Sequence, residues 1–376
     1  MEKYKDSLPR FAEVIIIGGG PAGAATALTL AARGVFCLVV EAAVGKNKVG
    51  EVIAPNFKPL LRKLGIEQLI AKSVCHFPAY GDRCIWGNEQ PFDRLFITQT
   101  NNQGWHLDRV DFEQKLSQLA VRRGATWLER CQFLAAKSNN TGWQVSLQYR
   151  GKKRLVKTKF LVDATGRTSK LSRSLGAIGK DYDRLIGLAC YFTLPRTANP
   201  HLTHIEAVAR GWWYAAPLSG GRLVTVLMTD ADLCDRSWQQ PEGYWQQIQA
   251  TKLIKTLLTE RLPIIDSDIT IKSARTSRLD SPIGDNWLAV GDAAFAYDHI
   301  SSYGIGSALA GGFYGGHAIA DTMAGKREAL LAYRMITEQA FERYLPLLHQ
   351  QYLQERRWRY SPFWGRRHNE NFYCQL

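Results

Sequence analysis

The chain has 376 residues, 45% of them hydrophobic and 22% charged, which suits a soluble globular enzyme too long for one compact core, so two interleaved domains are expected. No run of about 18 or more apolar residues occurs, and residues 1–10 lead into no apolar signal stretch, so a helical membrane span is excluded and a cytoplasmic location is expected. The net charge of +14 favours an anionic partner, an acidic protein or small acid ahead of nucleic acid, because no nucleic-acid-binding motif accompanies it. Seven scattered cysteines form no CxxC pair, so neither a metal site nor a disulfide framework is expected.

Taken in chain order, residues 13–17 read as a short buried strand, 21–33 as an alanine-rich helix closed by Gly34, and 35–40 as a second strand. A helix is predicted from Pro55 to a stop at Gly65, and a long amphipathic one over 108–124. Strand-like runs follow at 143–149, 155–162, 185–192, 212–216 and 222–229. Residues 302–354 read as mainly helical. The tail beyond 355 sets Arg356, Arg357, Arg359, Arg366 and Arg367 among Trp358, Tyr360, Phe363 and Trp364. It reads either as a docking segment for a protein partner or as aromatics packed back on the chain's own first domain.

Strand, glycine turn, helix and strand in that order make Gly18-Gly19-Gly20-Pro21-Ala22-Gly23 a GxGxxG turn in its proper setting. Gly18 permits the tight turn, Gly20 lets backbone approach a pyrophosphate, and Gly23 permits close helix–strand packing. Pro21 and Ala22 open a helix whose N-terminus presents free N–H groups to phosphate. Glu41 closes the second strand, placed to accept from an adenosine ribose.

Further segments carry a resemblance. Leu288-Ala289-Val290-Gly291-Asp292-Ala293-Ala294 resembles the segment by which p-hydroxybenzoate-hydroxylase-like flavoproteins hold the ribityl chain of FAD. The resemblance gives Asp292, beside Gly291, a ribityl hydroxyl. Val162-Asp163-Ala164-Thr165-Gly166-Arg167 resembles that family's strand-turn segment beside FAD, with Asp163 and Gly166 as contacts, although Asp163 also suits an ordinary Asx turn. The family's helix-start arginine corresponds to Arg109. Gly50 and Glu51 match a Gly-Glu-x-x-x-Pro segment of flavin-dependent halogenases and their relatives, and Gly304 and Ile305 close a flavin-side segment that starts at Asp298.

Together with Gly211-Trp212-Trp213-Tyr214, these motifs make the chain similar to LodB/GoxB-type flavoproteins over roughly residues 14–316. These serve the maturation of cysteine tryptophylquinone-bearing amino-acid oxidases. The implied fold is α/β: a Rossmann-type, p-hydroxybenzoate-hydroxylase-like FAD-binding domain (1–75, 105–180, 281–325), an interleaved β-sheet substrate domain (76–104, 181–280) and a C-terminal helical segment (326–376). The implied activity is FAD-dependent monooxygenation of a tryptophan in a precursor protein, with O2 and an unidentified electron donor. A monooxygenase or reductase of a small aromatic or isoprenoid molecule, and a non-catalytic flavin-bearing maturation chaperone, stand as alternatives. Two departures matter. His299 stands where relatives have proline, either as an acid–base group near the isoalloxazine or as a satisfied structural histidine. The stretch Phe77-Pro78-Ala79-Tyr80-Gly81 lacks the lysine of tryptophan halogenases, which argues against halogenation.

Overall fold

A strand buried on both faces is written as continuous apolar sequence, and β1 (Phe11–Ile17) carries Val14, Ile15 and Ile16 fully buried in succession. The computed structural model describes residues 8–43, 52–98, 101–193, 201–258, 268–369 and 372–373. After β1 come α1 (Pro21–Ala32) and β2 (Cys37–Glu41), which lies parallel to β1 with Ile17 opposite Val40. The chain then builds β3 (Gly81–Ile85), β4 (Phe92–Leu95), α2 (Arg109–Arg122), β5 (Thr126–Glu129), β6 (Cys131–Asn139), β7 (Gly142–Tyr149) and β8 (Lys152–Asp163). There follow β9 (Leu185–Thr193), β10 (Leu202–Val208), β11 (Gly211–Leu218), β12 (Arg222–Asp230) and β13 (Thr270–Ser273). Last come β14 (Ile283–Gly284), β15 (Trp287–Ala289), α3 (Gly304–Met323), α4 (Ala329–Leu353) and α5 (Pro362–Arg367).

An eight-stranded sheet runs β14-β15-β8-β1-β2-β5, with β7 and β6 added as a meander from β8. Its centre, β15 through β5, is parallel. A seven-stranded sheet runs β13-β9-β12-β11-β10-β3-β4 and is antiparallel apart from the β10–β3 pair. Helix α3 crosses α1 at small residues: a Cβ on Gly312 would lie 2.2 Å from the Ala22 carbonyl oxygen. Among the described residues no helix is long and apolar enough to cross a membrane.

The second strand starts later than expected because the Val35 amide still bonds back to Leu30 O, 3.0 Å, closing α1. Pro55 opens a 3-10 turn, and the helix proper, Lys58–Leu64, ends at Gly65 with φ +69°. Strands β6 and β10 carry weak alternation and lay outside the sequence reading.

The C-terminal tail calls for a correction. Trp364 and Arg367 are fully buried; the Trp364 indole donates to Val208 O at 2.8 Å and Arg367 pairs with Asp230 at 2.7 Å. Arg366 bridges Asp230 and Asp232, and Arg357 pairs with Glu355. The segment Phe363–Arg367 therefore packs into the core against the second sheet. Of the aromatic and basic residues named for the tail, Phe363, Trp364 and Arg367 are core side chains unavailable for docking, while Arg356, Arg359 and Tyr360 stay exposed.

Candidate functional site

Where β1 hands over to α1, Gly18 takes φ +108°, and a Cβ there would sit 2.2 Å from Ala164 O. A Cβ on Gly23 would sit 2.0 Å from Gly18 O. Both glycines are demanded by backbone packing. Gly20 is different: its backbone is extended, and a Cβ would meet nothing within 4 Å, because it faces open space. Gly18, Gly20, Pro21, Ala22 and Glu41 line one end of a cavity of about 790 Å³. Glu41 is held by two backbone amides, Gly19 N at 2.6 Å and Ala43 N at 2.8 Å, and each oxygen keeps a lone pair for another donor.

At the cavity's middle, Gly291 takes φ +59° and aims Asp292 inward. Arg167 Nε lies 3.3 Å from Asp292 Oδ2. Burial pushes the Asp292 carboxyl upward, and the positive charges of Arg167 and Arg109 oppose that. Asp292 Oδ1 is shielded from solvent and has no hydrogen-bond partner among the described residues, a cost that a ligand hydroxyl would remove. Arg167 also donates to Tyr297 O at 2.7 Å and to Arg275 O, and reaches His299 Nδ1 at 3.5 Å. Burial, then Arg167 and Arg109, push the His299 imidazole down to about 3. It is uncharged at neutral pH, so it offers the wall a neutral hydrogen-bonding group and does not donate a proton as an imidazolium.

The turn bearing His299 is clamped from α4. The Asp298 amide donates to Tyr344 Oη at 2.9 Å, and Tyr352 Oη donates to Asp298 Oδ2 at 2.8 Å. Arg109 lines the cavity with 12% of its side chain exposed and donates to Glu113 at 2.5 Å. Gly166, Gly304 and Ile305 also line it, and a Cβ on Gly166 or Gly304 would meet nothing.

Three sequence candidates stand behind the cavity wall. Asp163 is wholly buried and accepts from Thr165 N, Thr165 Oγ1 and Ser172 N, so it builds the turn and does not face the cavity. Gly23 and Gly291 shape backbone only. Gly50 and Glu51 lie outside the described residues. Arg167 was missed as a functional residue: it sat inside a quoted motif, and a single arginine after glycine gives no hint that it will join Asp292, Tyr297 and His299.

The far end of the cavity lies on the seven-stranded sheet. Register sets Lys272, Gly187, Met228 and Trp212 in one row across β13, β9, β12 and β11, and Thr270, Ala189, Val226 and Tyr214 in the next. Lys272, Thr270, Met228, Tyr214 and Tyr191 line the cavity. The exposed β13 marks the solvent side of this floor.

A glycine turn on a helix N-terminus, a strand-end glutamate and an aspartate with one shielded, unpartnered oxygen along one cleft define a flavoprotein. The chain belongs to the FAD binding domain family, whose match covers residues 11–339, and it is an FAD-dependent oxidoreductase. It is 29% identical over 359 residues to LodB of Marinomonas mediterranea, named as an FAD-dependent oxidoreductase, with 95% of this chain and 96% of that one covered. The 1H-pyrrole-2-carbonyl-peptidyl-carrier-protein chlorinase of Pseudomonas fluorescens is 24% identical, covering 79% and 73%. Among solved structures, the myxobacterial halogenase CndH superposes with a TM-score of 0.87 at 21% identity, covering 96% of this chain and 86% of that one. QhpG, described as a peptidyl tryptophan dihydroxylase, superposes with a TM-score of 0.76 at 23% identity, covering 95% and 78%. The two structures share the fold. The residues fit FAD: Gly20 leaves room for its pyrophosphate, Glu41 suits its ribose and Asp292 its ribityl chain.

Proposed function

We propose that the chain is a monooxygenase that hydroxylates a protein-bound tryptophan during tryptophylquinone formation in a partner amino-acid oxidase. The observation that carries this reading is the apolar, tyrosine-bearing floor of the cavity, which continues past the cofactor end and is open along β13. An indole suits walls made by Tyr191, Tyr214 and Met228, and ring-against-ring contacts favour aromatic over aliphatic occupants. LodB, similar over nearly the whole chain, supports an FAD-dependent oxidoreductase, and QhpG, which shares the fold, carries a description that names tryptophylquinone cofactor biogenesis.

Bound FAD supplies the redox chemistry that activates oxygen. One atom of O2 enters a C–H bond of the indole and the other leaves as water, with two electrons and two protons from an external reductant of the nicotinamide or reductase class. The protein's part is binding and orientation. Glu41, the α1 N-terminus and Asp292 would hold the cofactor, with the Arg167 charge opposing the upward push of burial on Asp292. Neutral His299 offers a hydrogen-bonding group at the wall, and the buried Tyr191, Tyr214 and Met228 would pack against the ring.

The test supplies reduced, FAD-loaded protein with oxygen and three acceptors: a tryptophan-centred peptide from a tryptophylquinone oxidase precursor, free tryptophan and phenol. Oxygen addition to the peptide tryptophan, read by mass, is the expected result. Oxidation of phenol alone overturns the reading in favour of a small-molecule oxygenase, and chlorination in the presence of chloride overturns it in favour of a halogenase.

A further inference from the structure

The β6–β8 meander carries one solvent face of unusual charge. Residues 131–159 contain seven lysines and arginines and no aspartate or glutamate, against a net charge of +14 for the whole chain. Half of the excess positive charge therefore sits on one tenth-scale piece of the fold. Register decides which side chains share a surface, since alternate residues of a strand point to opposite faces. Val145, Leu147, Val156, Thr158 and Phe160 are buried. The opposite face holds Lys137 and Lys157 in one row through Gln144, Leu155 in the next through Ser146, and Lys153 in a third through Gln148. Phe11 of β1 lies opposite Lys157.

Phe11 is 44% and Leu155 55% exposed, so two large apolar side chains stand among lysines. Lys159 pairs with Glu13, but among the described residues Lys137, Lys153 and Lys157 form no ion pair. Their cross-strand neighbours are the neutral Gln144 and Gln148 and the apolar Phe11, so no carboxylate opposite them on the adjoining strands offsets this charge, and an acidic partner would. An apolar centre with a charged rim is the anatomy of a protein interface. A nucleic-acid surface would use arginine and stacking aromatics in a groove, whereas this face presents lysines around Phe11 and Leu155 on the paired strands of the eight-stranded sheet. The same β6 strand reaches the cofactor cavity, which Cys131, Gln132 and Phe133 line, and Gln132 is opposite Gln148, next to Lys153.

We propose that this face, with Lys137, Lys153 and Lys157 around Phe11 and Leu155, docks an acidic protein surface that also bears apolar side chains, beside the cofactor end of the cleft. The inference stands whatever substrate the cavity takes.

The test measures binding of the FAD-loaded full chain to a ten-residue alternating Glu-Leu peptide across a salt series. The triple variant K137E/K153E/K157E is expected to lose binding at least tenfold, and Leu155→Ser severalfold, with FAD content unchanged. The charge-matched control K63E/K72E/R236E, on exposed residues elsewhere, is expected to keep it. Equal loss in both triples reduces the effect to net charge and overturns the proposal. Tighter binding of duplex DNA or phosphatidylserine vesicles than of the peptide at equal ionic strength overturns it too. If the charge reversal lowers FAD content, the K137Q/K153Q/K157Q set is read by the same criteria.

Discussion

Arg167 and Asp292 meet at 3.3 Å across the cavity wall, and that pair joins the Gly-Arg turn after β8 to the Gly-Asp turn after β15. The same guanidinium donates to Tyr297 O, so it fixes the wall on which His299 sits. Burial favours a neutral Asp292, and Arg167 is the main charge that opposes this.

Arg167→Ala is therefore expected to raise the Kd for FAD by about tenfold or more, which corresponds to about 1.4 kcal/mol per decade. Arg167→Lys restores the charge without the fork and is expected to fall between. Fluorescence titration of the apoprotein measures this. A Kd for the alanine variant within twofold of the parent would show that the pair does not shape the cleft.

Gly20 and Gly23 belong to one motif but are expected to fail differently. Gly20 has an extended backbone and open space where a side chain would go, so Gly20→Val leaves the apoprotein folded and blocks FAD. Gly23→Val drives a side chain into Gly18 O and loses the fold itself. Melting of the apoproteins and flavin content of the purified variants separate the two. Equal melting temperatures for both variants would refute the distinction.

The glycine turn was legible because its requirement is local: each glycine acts within a few residues of chain, and the flanking apolar runs give its setting. Asp292 was legible only through resemblance. Arg167, Tyr344 and Tyr352 were not legible, since their partners are long-range and nothing in a neighbouring residue marks them. The tail misled because charge and aromaticity look alike whether they face a partner or a buried Asp230. Asp163 shows the reverse case, where both readings fitted the sequence and only hydrogen-bond geometry assigns its carboxylate to the turn.

His106 is fully buried beside Phe77, and burial pushes it down to about 3. Its folded value lies below the unfolded one near 6.5, so between about pH 6.5 and 3 the unfolded chain binds the extra proton and stability falls as pH falls. Asp82 and Asp298, each raised to about 6 by burial, act with the opposite sign in the same range. They are present in both parent and variant, so the difference isolates the histidine. His106→Phe is expected to gain on the order of 1–2 kcal/mol relative to the parent between pH 7 and pH 5. Urea unfolding at the two pH values measures this, and a pH-independent difference would exclude His106 as a contributor to acid sensitivity.

The last expectation concerns Arg367, whose guanidinium is wholly buried and lies 3.6 Å from the centre of the Phe363 ring while pairing with Asp230. Removing one partner of a buried pair leaves an uncompensated charge, which costs roughly 3–5 kcal/mol. Arg367→Met keeps the length of the side chain and removes the charge, so it is expected to destabilise by the lower part of that range, because Arg366 still reaches Asp230 Oδ2 at 2.9 Å. Adding Asp230→Asn removes the orphaned carboxylate and is expected to recover part of the loss, a coupling that a double-mutant cycle reads directly. Deleting residues 361–376 strips Phe363, Trp364 and Arg367 from the core together and is expected to abolish soluble protein. Urea unfolding of the two single variants and the double one is the measurement. Strict additivity would show that Arg367 and Asp230 are not coupled, and a soluble, FAD-loaded deletion would show that α5 is dispensable to the sheet it covers.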